Sequence, residues 1–420
     1  MLYPRRQFIS KLPAGVIFSS GLSSQLFAQD KSRAPRADEV LWGGMGFSVP
    51  NADIRKMFPM TSKALDTVGG PSKLAMGLVA QLEKQYSGGV IGDPTKQIKV
   101  EDDPWLLFTV SLDFEQMIIV RGESSIYDFQ TSYVYALAQV LYLELPRDGG
   151  TDGDLRVLYS FPFRVFSQAA VKSGIEQDKI AEFKATLFDF ENSLINTFTK
   201  KVVSKKFRNG DRDRVKRLRV MSVTFTPEAA AAIKDLNISD WLNGQFFGQA
   251  ISASLADRAD MSVLPYGQND SLNRALSQRF TLFPNISNIF EKTLNDGHTF
   301  AINLMVNRVL RQSVGSSIGN ILYRRGISFL IKVTNVDRKT VVFDKKILLI
   351  EDAELAKLMF DRLKDYDLKY MVQMTIKLFD VFAEAVISES PEKIKAIGLD
   401  PRVDANDFKA LKEVFIACRY

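Results

Sequence analysis

The sequence predicts an α+β fold with antiparallel sheets and packed helices, arranged as two domains followed by a helical carboxyl-terminal segment. Three observations support this class. Apolar and polar residues alternate with period two in several segments, which is typical of strands with one buried face. In other segments apolar residues recur every three or four positions, which indicates amphipathic helices. Short stretches rich in Gly, Asp and Pro separate the strand-like segments, which favours hairpins.

The first half of the chain begins with a predicted helix at 72–85. Apolar and polar residues alternate over 106–115, which predicts a half-buried strand. Two longer strands follow at 133–145 and 155–166, so we expect one antiparallel sheet. A single apolar stripe of phenylalanines, leucines and isoleucines then predicts one long helix over 178–203.

The second half begins with a predicted strand at 218–226. Thr226, Pro227 and Glu228 supply a capping residue, a first-turn proline and a first-turn acid, which together indicate the start of a helix. The remaining predicted elements are helix 239–256, strand 261–265, helix 270–280, strands 299–310, 327–334 and 340–350, and helices 353–363, 368–388 and 406–417.

These elements divide into four predicted segments. Residues 1–28 form an export signal, and residues 29–205 form an amino-terminal α+β domain. Residues 206–350 form a second α+β domain, and residues 351–420 form the helical carboxyl-terminal segment. A chain of 420 residues fits such a division, since compact domains cluster at roughly 100–200 residues.

The amino terminus has the layout of an export signal. Arg5, Arg6 and Lys11 occur without an acidic residue, a weakly apolar stretch follows over 12–26, and Ala28 supplies a small residue for cleavage. The paired arginines before Phe8 and Ile9 also match the twin-arginine signal. General export and an ordinary amino terminus are the alternatives. No Cys follows the stretch and no run of 18 apolar residues occurs, so we expect a periplasmic or secreted protein without a lipid anchor or a transmembrane segment.

Residue composition excludes several enzyme classes. Apolar residues make up 46% of the chain and charged residues 25%, which are ordinary globular values. His298 and Cys418 are the only residues of their types. The chain therefore cannot form a zinc site of His and Cys ligands, an internal disulfide or a Cys-x-x-Cys redox pair. We predict no cofactor, no metal and no catalytic residue.

Local motifs give little support to catalysis. The string Gly315-Ser316-Ser317-Ile318-Gly319 matches a nucleophile elbow, but the segment after it predicts a strand, and His298 precedes the serine in chain order. Gly44-x-Gly46 lacks the third glycine of a dinucleotide fingerprint. His298 follows Asn, Asp and Gly, so we expect a solvated loop histidine. The loop 148–154 carries three aspartates that could attract calcium, although a plain hairpin turn also explains it.

One segment, 200–219, concentrates positive charge, with ten basic residues and two acidic ones. Such a segment suits phosphate-rich polymers or anionic lipid headgroups. Phe207 is the one aromatic residue within it, so specific nucleic-acid binding is not expected. A solvated helix end is the alternative explanation. The predicted anion- and partner-binding residues are Lys200, Lys201, Lys205, Lys206, Arg208, Arg212, Arg214, Lys216 and Arg217.

The order of segments between residues 214 and 350 supports one resemblance. The strand 216–225, which opens with Lys and Arg, the helix 241–255, the short strand 261–265, a further helix, and the strands 300–310 and 327–343 follow a β-α-β-α-β-β pattern. This pattern resembles that of envelope proteins related to the curli-secretion component CsgG and to the amino-terminal domain of TolB.

The hairpin of this segment departs from the pattern of those proteins. In those proteins a valine-x-aspartate sequence precedes a threonine-glycine turn, but here Lys339-Thr340 occupies the turn without the glycine, and the lipid-anchoring Cys common in such proteins is missing. The resemblance implies an envelope assembly or binding module without catalysis.

Taken together, these features favour an exported, non-enzymatic binding or assembly protein of the bacterial cell envelope. Its expected partner is an envelope protein or an anionic polymer or lipid surface. The rival function is an exported enzyme, either a hydrolase or a carboxylate-metal enzyme, delivered folded by the twin-arginine route. Metal and chromophore analysis of the purified chain distinguishes the two.

Overall fold

Two five-stranded sheets with the same strand order organise the chain. The computed structural model describes residues 40–49, 51–85, 90–91, 106–123, 128–144, 156–172, 178–189, 191–200, 216–236, 244–266, 298–357 and 363–419. The first sheet has the order β2-β1-β3-β4-β5. Its strands are β1 (Val40–Phe47), β2 (Val90–Ile91), β3 (Leu106–Glu123), β4 (Asp128–Glu144) and β5 (Arg156–Lys172).

The second sheet reproduces this order as β7-β6-β8-β9-β10. Its strands are β6 (Leu218–Phe225), β7 (Val263–Leu264), β8 (Phe300–Ser316), β9 (Asn320–Asn335) and β10 (Thr340–Ala356). In each sheet the first short strand pairs in parallel with both of its neighbours, and the three long strands pair antiparallel. The predicted α+β class with antiparallel pairing is therefore confirmed, and each sheet carries two parallel pairs in addition.

The register of pairing also repeats. In β1 a bulge lies between Trp42 and Gly44, directly after the third residue pair with β3. In β6 a bulge lies between Val220 and Ser222, directly after the third residue pair with β8. A second bulge places Asp113 as the extra residue of β3, and Asn307 is its counterpart in β8. Because two bulges occur at matching positions, we regard the chain as a structural duplication. We call its two halves repeat 1 (40–200) and repeat 2 (216–419).

Helices lie against both sheets. Repeat 1 contains α1 (Ile54–Met57), α2 (Pro59–Thr67), α3 (Pro71–Gln85), α4 (Lys179–Phe188) and α5 (Leu194–Phe198). Repeat 2 contains α6 (Pro227–Asp235), α7 (Gly244–Ala259), α8 (Leu363–Ser388), α9 (Pro391–Ala396) and α10 (Ala405–Ala417). Helix α6 begins as predicted, because the Thr226 hydroxyl accepts a hydrogen bond from Ala229 N and donates one to Asn307 O.

One layer of helices packs against both sheets. Helices α2 to α5 pack on one face of the first sheet around Trp42, Phe108 and Tyr142. The other face of that sheet packs against α7 and α8, which also cover the second sheet. All described residues belong to the compact unit Arg36–Tyr420. The predicted domain boundaries near residues 205 and 350 stay predictions.

The first sheet corrects the predicted exposure of β3. Every residue from 107 to 115 is buried, including Thr109, Ser111 and Asp113. The half-buried strand was wrong because helices of both repeats cover this sheet, one set on each face. An alternating sequence cannot show this, since its polar residues are buried with hydrogen-bond partners that come mostly from other parts of the fold.

Two predicted helices also require correction. The helix over 178–203 ends at Phe188, and Ser193 begins a new one by accepting a hydrogen bond from Asn196 N. The helix over 353–363 is wrong at its start, because β10 continues through Ala356 in register with β9. Strand pairing therefore overrides local helix propensity there. The predicted helix 270–280 and the loop 148–154 lie outside the described residues.

Candidate functional site

A cavity of about 450 Å³ lies where repeat 1 meets repeat 2. Strands β4 and β5 form one wall, and helices α7 and α8 form the other. We call it the junction cavity. Its lining residues are Tyr135, Ala136, Leu137, Arg164, Val165, Phe166, Phe246, Arg258, Gln373, Ile376, Lys377, Asp380, Val381 and Glu384.

The strand wall is set by pairing between β4 and β5. Tyr135 lies opposite Phe166, and Leu137 lies opposite Arg164, so these four side chains share the face that looks toward repeat 2. Phe166 packs against Tyr135 with ring centroids 5.0 Å apart, yet it stays 40% exposed. A half-exposed phenylalanine at a cavity wall leaves apolar surface available to a ligand.

The helix wall follows from spacing along α8. Gln373, Ile376, Lys377, Asp380 and Glu384 recur three or four residues apart, so they form one stripe along the helix. A different, apolar stripe of α8 packs into the core between the sheets. Helix α8 therefore presents a second stripe, of apolar, polar and charged residues, to the junction cavity. Phe246 of α7 adds to the apolar lining of the cavity.

A chain of ion pairs borders the cavity. Arg164 of β5 contacts Asp257 at 3.4 Å and Asp380 at 2.9 Å, and so joins repeat 1 to both helices. Arg258 contacts Asp380 at 3.0 Å and Glu384 at 3.3 Å. Hydrogen bonding to Asp380 is the main reason why the pKa of Arg258 is raised.

The same border continues at the outer end of α8. Lys377 contacts Glu351 at 2.6 Å, and Lys393 contacts Glu384 at 2.9 Å.

Burial raises the pKa of Tyr135, so this phenol stays neutral in ordinary buffers. The cavity thus combines an apolar interior with charged groups at its border.

A buried polar cluster lies beside the junction, around Asp113. Ser111 Oγ and Gln139 Nε2 donate to Asp113 Oδ1 at 2.8 and 3.1 Å. Gln245 of α7 donates to Ser48 Oγ at 3.0 Å, which links the cluster to repeat 2. Burial raises the pKa of Asp113 to about 8, against smaller lowering effects of its hydrogen bonds. Asp113 is therefore protonated at neutral pH and acts as a structural group.

A second buried acid lies two residues further along β3. Glu115 accepts hydrogen bonds from Met60 N and Thr61 N at 2.7 and 2.8 Å, and so caps the first turn of α2. Burial raises the pKa of Glu115 to about 7 even though these hydrogen bonds lower it. Its partners are backbone groups of a helix terminus, so its role is structural.

Two arginines that share a buried aspartate join β8 and β9 to α8. Asp367 is fully buried and accepts from Arg311 Nε and Arg325 Nε, each at 2.7 Å. The guanidinium of Arg325 also lies over the rings of Tyr323 and Tyr370, at 4.7 and 4.3 Å from their centroids. This arrangement fixes the start of α8 against the second sheet.

The predicted basic segment is only partly described. Lys200 is exposed and contacts Glu191 at 3.6 Å, and Lys216 is exposed as well. Arg217 was expected on an exposed basic surface, but it is only 7% exposed. It is buried because it directly precedes the buried start of β6. The others, Lys201, Lys205, Lys206, Arg208, Arg212 and Arg214, lie outside the described residues.

The remaining candidate residues have structural positions. The Gly315–Gly319 string spans the end of β8 and the turn that leads into β9, so a strand follows Ser317, as predicted. His298 is half-buried just before β8. Cys418 is fully buried, and burial raises its pKa to about 12. Within the described residues, no group of three or more His, Cys, Asp or Glu side chains could hold a metal ion.

Sequence reasoning missed the junction cavity. One signal was present, since Arg164 interrupts the apolar run of β5 and Lys377 and Asp380 interrupt the apolar pattern of α8. Each interruption reads as a solvated position when its element is considered alone. Only the contact between repeats brings them together.

Comparisons with known proteins give limited likeness. No family model matches the chain, and no curated protein matches it. A hypothetical protein of Chlamydia trachomatis matches at 17% identity over 39% of this chain and 91% of its own, with a TM-score of 0.22. A minor lipoprotein of Acinetobacter baumannii matches at 10% identity over 41% of this chain and 87% of its own, with a TM-score of 0.18.

A third solved structure is a protein of Xanthomonas campestris from the family DUF330. It is 9% identical over 41% of this chain and 81% of its own, with a TM-score of 0.16. Scores this low do not establish a shared fold. Among the helices that the structure describes, none is both long enough and apolar enough to cross a membrane.

Proposed function

We propose that this chain is an exported, non-enzymatic binding protein of the bacterial cell envelope, and that the junction cavity is its binding site. The observation that carries the proposal is the cavity itself. Its volume of about 450 Å³ falls within the range of roughly 300–1,000 Å³ that is common for small-molecule sites. Its lining is mainly apolar, with a few charged groups at the border, as in sites that bind small molecules.

The chemistry of the lining supports binding without catalysis. Arg164 and Arg258 are engaged with carboxylates, and Tyr135 is held neutral by burial. A general base would need a proton acceptor with a pKa near the working pH and within reach of a ligand. Asp113 and Glu115 have pKa values in that range, but both are buried in structural hydrogen bonds.

A neutral fluorescent probe tests the binding site. N-phenyl-1-naphthylamine should bind the purified chain saturably, at one molecule per chain. Ile376→Trp should abolish this binding, because the larger side chain fills the cavity from α8. Ile416→Trp is the matched control, since Ile416 is exposed on α10 and does not line the cavity. Unsaturable binding, or equal binding by a folded Ile376→Trp variant, would contradict the proposal.

Export is proposed from the amino-terminal sequence. Replacing Arg5 and Arg6 by Lys should block export if the twin-arginine route is used. The measurement is the amount of mature chain in the periplasmic fraction. Normal export of this variant contradicts that route, and a chain that stays in the cytoplasm even with its natural sequence contradicts the envelope location.

The basic segment 200–219 is proposed as a contact to anionic lipid or polymer, and the resemblance to CsgG- and TolB-related envelope proteins stays part of this proposal. Neutralising six of its cations should weaken binding to anionic vesicles by orders of magnitude at low salt. Binding by the natural chain should fall steeply as salt is added. Vesicle co-sedimentation measures both, and equal binding by the neutralised chain would show a solvated segment.

A further inference from the structure

We infer that the ligand of the junction cavity is a single-chain amphiphile with an anionic headgroup, either a carboxylate or a phosphate. This inference rests on the proposed function and names its ligand class. The apolar lining would hold the chain, and the cations at the border would hold the headgroup.

The size and lining of the cavity fit an alkyl chain. Leu137, Phe166, Phe246, Ile376 and Val381 supply aliphatic and aromatic surface on both walls. A water molecule takes up roughly 30 Å³ of the liquid, and a methylene group is of similar size, so about 450 Å³ holds roughly 15 such groups. One long chain therefore matches the volume.

The cations at the border have hydrogen-bond donors to spare. Arg258 is 46% exposed and Lys377 is 59% exposed. Arg258 uses its Nε, one Nη1 and one Nη2 donor for Asp380 and Glu384, which leaves two of its five donors. Lys377 uses one donor for Glu351, which leaves two of its three. Both cations line the cavity, so it offers four donors to an anionic headgroup.

The acids at the border are already occupied. Asp380 contacts Arg164 and Arg258 and is only 14% exposed. Glu384 contacts Arg258 and Lys393 and is 30% exposed. Asp380 and Glu384 each have two cationic neighbours and are less exposed than Arg258 and Lys377. The lining also carries three cations, Arg164, Arg258 and Lys377, against these two acids, so a cationic headgroup would meet mainly cations. Charge at the border thus favours an anion.

A chain-length series tests the apolar part. Sodium carboxylates from octanoate to stearate are titrated into the purified chain by calorimetry, below their micellar concentrations. Each added methylene should tighten Kd roughly fourfold, which corresponds to about 0.8 kcal/mol. The gain should stop near palmitate, because the cavity holds roughly 15 methylene groups. Affinity that keeps rising through stearate, or that ignores chain length, would overturn the chain assignment.

A headgroup series tests the anionic part. Palmitate should bind more tightly than hexadecanol by roughly tenfold, since two partly exposed ion pairs are gained. Hexadecyltrimethylammonium should bind more weakly than hexadecanol. The double variant Arg258→Gln with Lys377→Gln should lose the preference for palmitate over hexadecanol, while Lys409→Gln, an exposed cation of α10, should keep it. The readout is the ratio of the affinity for palmitate to the affinity for hexadecanol, because a purely structural effect would change both affinities alike.

Lysophosphatidylglycerol with a palmitoyl chain distinguishes the two headgroup sources. Tighter binding than palmitate assigns a phosphate headgroup, and weaker binding assigns a carboxylate. Equal affinity for palmitate and hexadecanol, lost in the Ile376→Trp variant, would overturn the anionic assignment and leave the proposed function standing. Absence of binding by every amphiphile together with absence of probe binding would overturn both.

Discussion

Replacing Asp113 by Asn should remove part of the pH dependence of stability. Burial raises the pKa of Asp113 from 3.8 to about 8. Between these values the folded chain holds a proton that the unfolded chain has lost, so stability must fall as pH rises. The stability linked to this proton is fully present below about pH 4 and lost by about pH 8. The slope is about 1.4 kcal/mol per pH unit, and the whole loss is about 6 kcal/mol.

The variant should follow a flatter curve for a reason visible in the structure. An asparagine at 113 keeps the oxygen that accepts from Ser111 and Gln139, and it carries no ionisable proton. Its amide nitrogen takes the place of Oδ2, which has no hydrogen-bond partner among the described residues in the natural chain either. The second repeat already has Asn307 at this bulge, with its Nδ2 donating to Ser328 Oγ at 3.1 Å.

Urea unfolding followed by circular dichroism from pH 5 to pH 8 measures the effect. The free energy of unfolding of the Asp113→Asn variant should fall less steeply, by about 1.4 kcal/mol per pH unit. Glu115 should leave a residual slope up to about pH 7, because burial raises its pKa as well. Asp66→Asn, at an exposed site on α2, is the control and should keep the natural slope. An unchanged slope in Asp113→Asn would refute the reasoning.

Two further predictions concern contacts that fix repeat 2. Asp367→Asn should destabilise the chain by about 3–5 kcal/mol in urea unfolding, because it leaves Arg325 buried without its counter-ion. Asp352→Asn, which breaks an exposed pair with Arg324, should change little, and equal effects would contradict the argument. Thr226→Ala should cost about 1–2 kcal/mol, since the hydroxyl both caps α6 and bonds to the β8 bulge. Thr226→Ser retains the hydroxyl and should restore most of this stability.

Long antiparallel strands and strongly periodic helices were predictable from the sequence, and so were the parallel strands β6 and β7, while β1 and β2 of the first sheet were not. The hairpin of β9 and β10 turns over 335–339 as predicted, and the final helix begins within one residue of its predicted start. Strand β1 was not predicted, because Gly43, Gly44 and Gly46 lower its strand propensity. Its place is fixed by pairing with β3, a contact between residues more than sixty positions apart.

The candidate site could not be predicted because its residues come from both repeats. Arg164 and Asp380 are 216 positions apart, and each alone has the pattern of a solvated residue on an amphipathic element. The duplication itself was also hidden, because matching positions hold different residue types. Asp113 corresponds to Asn307, and Trp42 corresponds to Val220. Only the repeated strand order and the repeated bulges reveal the relation.

Divergence between the repeats explains why the cavity exists where it does. After the shared bulge, repeat 1 has Phe114 opposite Leu137, and repeat 2 has Arg308 opposite Ser328. Phe114 and Leu137 are buried against α7 and α8, whereas Arg308 is exposed. Because this face of the first sheet is apolar, it needs a layer of helices to cover it, and helices of repeat 2 form that layer. Because α7 and α8 also serve the second sheet, they leave a gap beside β4 and β5, which is the junction cavity.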